Sequence, residues 1–246
     1  MIRLSKRQPD KTRNISFETG VNCHAEGSCL VSFGRTKIIC TATHEFKVPR
    51  FLKDKNQGWL TAEYSMLPRS THTRIARESS LGKKSGRTQE IQRLIGRSLR
   101  AALDLNKLGE NQITIDCDVI QADGGTRTAA ISGGYVALAI CVNKLLKENI
   151  LKSNPIIANI AAISCGISQG EILVDLDYIE DSNIDIDANF VFNSNDEIVE
   201  IQASSERNTF AKDMLNQMYD LSYDACSEIF TLQNDAVEKA SQFKDP

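Results

Sequence analysis

The 246-residue sequence predicts an α+β fold in which helices are layered on sheets, as a single domain over residues 1–246. Three observations predict it. Short apolar runs with two-residue alternation recur, and they pair across turn signals as hairpins. Three long stretches, near 88–108, 128–149 and 209–242, carry helical patterning. Strands precede helices, with one strand–helix–strand crossover, an order foreign to a doubly wound parallel sheet. The plan of hairpins then helices occurs twice, roughly over residues 1–150 and 151–246, without an exact sequence repeat.

In chain order, residues 1–14 carry Arg3, Lys6, Arg7, Lys11 and Arg13 against the single acid Asp10. This predicts a solvated basic arm, with contact to RNA as the alternative. Ser28–Phe33 and Lys37–Ala42 form a hairpin across Gly34-Arg35, and Trp59–Leu67 is a strand stopped by Pro68. Pro68–Arg87 is a long loop with Arg69, Arg74, Arg77, Lys83, Lys84 and Arg87 against one acid, Glu78. Arginine is the better phosphate fork, so the loop is a candidate track for a polyanion as well as a solvated charge run.

Thr88–Leu108 reads as one helix, capped by Thr88 and ended by Gly109. Arg93, Arg97 and Arg100 share one of its faces, and Arg87 stands just ahead of it. Gln112–Gln121 alternates Ile113, Ile115, Cys117 and Val119 with Thr114, Asp116 and Asp118. Asp116, Asp118 and Asp123 are candidate catalytic groups or, more simply, neutralising partners for nearby arginines. Gln121–Arg127 (QADGGTR) then hands the strand to the small-residue helix Thr128–Asn149. Unpaired N–H groups at a helix start, two glycines and a guanidinium suit an anion; a plain glycine turn uses the same residues.

In the second half, Ile156–Ile167 and Ile172–Tyr178 read as strands joined at Gln169-Gly170, and Ala188–Asn193 and Ile198–Gln202 as a second hairpin. Asp175–Asp187 (DLDYIEDSNIDID) lacks any basic residue; it is either an exposed acidic turn or a hard-metal site, since Mg²⁺ takes oxygen ligands and few protein carboxylates. Thr209–Gln242 is a long amphipathic helix.

Composition bounds the function. Hydrophobic residues make up 41%, charged residues 25%, and the net charge of -3 excludes a general polyanion binder, so any nucleic-acid site is a local patch. The seven cysteines are scattered without CxxC spacing, which predicts reduced core thiols. His24, His44 and His72 lie in no motif and are expected to be structural or surface residues. No stretch reaches the apolar length of a membrane span and no apolar leader precedes the basic N-terminus, so a cytoplasmic protein without a membrane partner is expected. An anion turn, a second arginine at a helix start, a basic loop and a carboxylate cluster together make a kit for attack on a phosphodiester.

Five blocks carry a family resemblance: GWLTAEYSMLPRSTHTR, GRTQEIQRLIGRSLRAALDL, ITIDCDVIQADGGTRTAAISGG, LVDLDYIEDS and VEIQ. In this order, over nearly the whole chain, they resemble ribonuclease PH, of the polynucleotide phosphorylase and exosome ring family. The resemblance implies the ribonuclease PH fold, with its two pseudo-repeated halves (ribosomal protein S5 domain 2-like). It implies a phosphate-dependent 3′→5′ exoribonuclease, a reversible nucleotidyltransferase that trims transfer RNA precursors and releases nucleoside diphosphates, with further roles in ribosomal RNA processing. It implies a homohexamer, a trimer of dimers, with inorganic phosphate as co-substrate and Mg²⁺ as cofactor. By matching position, the phosphate site falls on Arg87, Gly125, Thr126 and Arg127. The catalytic, metal-linked aspartates fall on Asp181 and Asp187, with Asp185 between them. The RNA-contacting arginines are Arg69, Arg74 and Arg77. The chain departs from the family near its end: relatives carry a VQGTAEG-like stretch, and here Ile201–Arg207 reads IQASSER, with Glu206 kept. A non-catalytic RNA-binding ring subunit of the same fold is the alternative, and a water-using metal nuclease a second one.

Overall fold

The structure is a computed structural model and describes residues 3, 6–207 and 209–242. A five-stranded sheet is built from β1 (Ile15–Thr19), β2 (Gly27–Phe33), β3 (Thr36–Glu45), β4 (Trp59–Met66) and β5 (Gln112–Gln121), in the order β1-β2-β3-β5-β4. All its pairs are antiparallel except β4 with β5. That parallel pair is the expected crossover, made by α2 below. A four-stranded antiparallel sheet holds β6 (Ile160–Ser168), β7 (Glu171–Val174), β8 (Ile186–Asn193) and β9 (Ile198–Ser205) in the order β7-β6-β8-β9. The helices are α1 (Glu78–Leu81), α2 (Gly86–Arg100), α3 (Leu105–Leu108), α4 (Thr126–Lys147), α5 (Tyr178–Asp181) and α6 (Lys212–Gln242).

α4 lies between the two sheets, against β2 and β3 on one side and β6 on the other. This explains its small residues and its lack of a polar face. A Cβ on Gly133 would come within 2.4 Å of Val31 Cγ1, so only glycine lets the helix approach β2 so closely. Toward β6, the Ser132 hydroxyl donates to the Ala162 carbonyl at 3.3 Å and accepts from its N–H at 3.1 Å. Gln233 of α6, fully buried, donates to the carbonyls of Ser132 and Ile160 at 3.0 and 2.9 Å, stitching helix, sheet and helix. Fully buried Ile131, Leu138 and Leu145 each contribute roughly 1.5–3 kcal/mol to this core. α4 is also long and apolar enough to match a membrane span, against the expectation that no stretch is; most of it is buried inside the fold. Six of the seven cysteines are buried and all are free thiols, and only Cys23 is exposed.

Four local expectations are corrected. The helix expected over Thr88–Leu108 begins earlier and breaks. Ser85, not Thr88, is the N-cap: its hydroxyl accepts from the Thr88 N–H at 3.1 Å. After Arg100 the chain leaves the helix so that Leu103 can bridge to Ile156, and α3 restarts under an Asp104 cap. The strand expected to reach Tyr178 ends at Val174, because Asp175 takes a left-handed φ of 57° and Asp177 caps α5 in a capping box with Glu180. The strand expected from Ile156 starts at Ile160. β1, unpredicted, pairs Ile15 with Phe33 at the edge of the first sheet.

The largest correction concerns the N-terminal arm. Arg3 and Arg13 are buried rather than solvated. Arg3 Nε and Nη2 donate to Glu180 at 2.6 and 2.8 Å, and Arg13 pairs with Asp175 at 2.7 Å. The acidic stretch seen in the sequence is where the arm's charges are neutralised.

Candidate active site

β5 delivers the chain to Asp123–Arg127. Gly124 and Gly125 both lie in the left-handed region, at φ 76° and 63°, and Gly125 is the N-cap of α4, having no side chain with which to occupy the first-turn N–H groups. A Cβ on Gly124 would sit 2.3 Å from the Leu176 carbonyl oxygen and 2.6 Å from the Asp177 carbonyl carbon. The glycine turn therefore packs backbone to backbone on the acidic segment. Thr36 holds the turn from β3: its hydroxyl donates to the Gly124 carbonyl at 2.7 Å and accepts from the Asp123 N–H at 2.9 Å. Thr126 accepts from the Tyr64 hydroxyl at 2.9 Å.

A cavity of about 340 Å³ opens at this junction, lined by Arg87, Gly125, Thr126, Arg127, Asp181 and Asp187 among others. The structure thus brings together every residue expected at the phosphate and carboxylate sites. Arg127 is braced by Gln202 Oε1 at 2.9 Å and Glu90 Oε1 at 3.2 Å. Arg87 enters from the first turn of α2.

Asp181 ends α5 and Asp187 stands on β8. Asp181 keeps an open face to solvent, yet desolvation by the surrounding protein raises its pKa, against the opposing pull of Arg87, Arg127 and Arg13. Desolvation also raises Asp187, with repulsion from Asp181 and Glu206 adding to it and Arg127 and Arg87 opposing. A pair of carboxylates that repel each other beside a polyanion site suits a divalent cation, whose charge relieves the repulsion. Among the described residues no three His, Cys, Asp or Glu side chains converge as a metal cluster, so a cation here would have to draw on this pair and on ligands from outside the chain. Asp185 is turned away, accepting from the Gln169 N–H at 3.0 Å.

Arg69, Arg74 and Arg77 are exposed and do not line this cavity. Their loop is pinned at its start, where the Ala122 N–H donates to the Ser70 carbonyl at 2.8 Å, so it leaves from the rim. Arg77 borders a separate groove over β4 and β5 with Glu63, Asp116 and Asp118. Of the three strand and turn aspartates, only Asp123 has an arginine, Arg35 at 3.0 Å; the others face that groove, where desolvation raises both. The divergent Ile201–Arg207 stretch continues β9 through Ser205, and Gln202 and Glu206 reach a pocket that shares Arg127 and Asp187 with the main one.

Sequence reasoning missed His72 and Tyr178, whose rings meet edge to face at 5.2 Å on the cavity wall. The only available signal was their position inside the two longest charged stretches.

Two family models match this chain: 3′ exoribonuclease family, domain 1, over residues 11–144, and domain 2, over residues 158–225. Ribonuclease PH of Caulobacter vibrioides is 55% identical over 236 residues, covering 96% of this chain and 99% of the relative. The crystal structure of rice (Oryza sativa) Rrp46 superposes with a TM-score of 0.77 at 16% identity, over 96% of this chain and 100% of that one. The Archaeoglobus fulgidus exosome with RNA bound to the active site gives 0.78 at 20% identity, over 93% and 91%. Those two likenesses speak for the ribonuclease PH fold, and the curated relative spans both halves of the cavity just described. With its glycine turn in the first matched domain and its aspartates in the second, this chain belongs to the 3′ exoribonuclease family of ribonuclease PH.

Proposed function

We propose that the protein is a phosphate-dependent 3′→5′ exoribonuclease that shortens RNA by one nucleotide per turnover, with transfer RNA precursors among its substrates. One observation carries this reading: a single cavity holds the open helix start, two arginines and two carboxylates. A nuclease that uses water as its nucleophile needs the carboxylates but not the pocket made by the helix start and the two arginines.

Inorganic phosphate fits the turn formed by Gly125, Thr126 and Arg127, with Arg87 opposite. Backbone N–H groups of α4 and the two guanidinium forks fix its oxygens, which removes positional entropy from the attack. A phosphate oxygen forms a bond to the terminal phosphorus of the RNA as the bond to the preceding 3′-oxygen breaks. The terminal nucleotide leaves as a nucleoside diphosphate, and the 3′-oxygen ends as a hydroxyl, its proton coming from the protonated phosphate. Asp181 and Asp187 would hold a divalent cation such as Mg²⁺, and the chemistry it would supply there is neutralisation of charge on the departing oxygen. Arg69, Arg74 and Arg77, on the loop that leaves the rim, track the RNA backbone. We also propose a homohexameric ring, a trimer of dimers, testable by sedimentation.

The deciding experiment incubates an end-labelled transfer RNA precursor and Mg²⁺ with and without phosphate. Nucleoside diphosphate formed only with phosphate is expected. Monophosphate means hydrolysis, and absence of product under both conditions means a non-catalytic RNA-binding subunit; either overturns the proposal.

A further inference from the structure

The N-terminal arm contacts both halves of the cavity from behind. Arg13 Nε and Nη2 donate to Asp175 Oδ2 and Oδ1 at 2.9 and 2.7 Å, and the Arg13 backbone N–H donates to Oδ2 at 2.7 Å. Its remaining nitrogen, Nη1, donates to the carbonyl of Asp123, the residue that leads into the glycine turn. Nη2 lies 3.2 Å from where a Cβ on Gly125 would stand. Asp175 is 0% exposed and Arg13 is 9% exposed. Five residues beyond Asp175, Glu180, the neighbour of Asp181, is gripped by Arg3 and Arg7.

One planar fork thus reads two chain segments, one that offers the phosphate site and one that ends in the carboxylates. Five fixed donors restrict direction as well as distance, which a lysine cannot do. A buried ion pair is a poor source of net stability compared with an apolar pair of the same volume, so its use here calls for a role in geometry. We propose that Arg13, acting through Asp175, is a positioning residue for phosphorolysis: it sets the spacing between the Gly124–Arg127 turn and Asp181. This inference rests on the functional reading above.

Two variants test it, Arg13→Lys and the neutral pair Arg13→Gln with Asp175→Asn, which removes both charges of the fork and leaves Arg7, 3.6 Å from Asp175, its pairing with Glu180. Circular dichroism and thermal melting establish folding. The expected result is a KM for phosphate raised about 10-fold and a kcat lowered about 10-fold or more in both, since misplacement by about 1 Å costs on the order of 100-fold in rate. RNA affinity, measured by fluorescence anisotropy without phosphate, stays within about twofold of wild type because the arginine loop is untouched. A folded variant with wild-type KM and kcat overturns the proposal. So does loss of RNA affinity in parallel with activity, or failure of both variants to fold, since each marks a purely structural pair. The functional reading fails separately, if the wild-type protein releases no diphosphate with phosphate present.

Discussion

Replacing Gly124 with alanine probes the contact on which the cavity is built. Two costs are separable. The φ of 76° puts an alanine in the left-handed region, which costs roughly 1–2 kcal/mol. The added Cβ would also stand 2.3 Å from the Leu176 carbonyl oxygen, about 1 Å inside ordinary contact, and both partners are backbone that cannot swing aside. Forced repacking of this kind costs about 1–3 kcal/mol more. Gly170, at the β6–β7 turn, supplies the control: its φ is 80° and nothing lies within 4 Å of its would-be Cβ, so Gly170→Ala carries the first cost alone. At about 2–4 °C per kcal/mol for a chain of this size, Gly170→Ala should lower Tm by about 2–8 °C and Gly124→Ala by about 4–20 °C. The kinetic difference should be larger. Moving the turn about 1 Å from the acidic segment should reduce phosphorolysis on the order of 100-fold, while Gly170→Ala keeps wild-type kinetics. The assay is diphosphate release from an RNA 3′ end over a phosphate titration, beside differential scanning calorimetry. Equal Tm and equal kinetics for the two variants would refute the reasoning.

Further outcomes follow from the same geometry. Arg127→Ala should raise the KM for phosphate at least about 10-fold and leave RNA affinity unchanged, because Arg127 belongs to the anion turn and lines its cavity, away from the arginine loop; wild-type phosphate kinetics would remove it from the site. Asp187→Asn should abolish turnover yet raise Tm above neutral pH. The sign follows from its raised pKa: the folded state favours the proton, so stability from this group is present at low pH and is lost as pH rises through the folded pKa, and asparagine removes that loss. Mg²⁺ should raise the Tm of the wild type and not of Asp187→Asn, as read by calorimetry. Glu180→Gln should destabilise the fold by about 3–5 kcal/mol at neutral pH, since buried Arg3 loses its carboxylate. Burial alone would push the Glu180 pKa up; the Arg3 bonds, the Asp177 N–H and the charges of Arg3 and Arg7 together outweigh it and hold it low, so this stability fades as pH falls, and a flat acid limb in urea melts would contradict it. Replacing Arg69, Arg74 and Arg77 together should reduce the salt slope of RNA binding by about 0.7 per lost phosphate contact, with phosphate KM unchanged.

The parts of the site that were legible in the sequence are those whose signal is local. Gln121–Arg127 announces a strand-to-helix turn through its own glycines, and α4 shows its burial on all sides in its own small residues. The acidic stretch showed its charge but not its sorting, because Asp175, Asp177, Glu180, Asp181, Asp185 and Asp187 are divided among the arginines of the arm, a helix cap, a hairpin turn and the cavity. Asp175 and Glu180 answer arginines more than 160 residues away, Asp177 caps a helix, and Asp185 holds a hairpin turn. A pattern reading within a window cannot see such partners, and so it left Arg3 and Arg13 in solvent. The break after Arg100 is hidden for the same reason: the apolar stripe runs on, and a bridge from Leu103 to Ile156 overrides it.

The arm's contacts also order events in time. Arg13 and Asp175 are 162 residues apart, and Arg3 and Glu180 are 177 apart. At synthesis rates of about 5–20 residues per second, the first arginines made wait roughly 10–30 seconds before their carboxylates exist. Closing such long loops comes late in folding, after local helices and hairpins have formed. The first sheet can assemble while the arm is still free and positively charged, and the cavity is completed only when the second sheet presents Asp175 to it. A chain halted before β7 therefore carries the whole glycine turn with no clamp behind it.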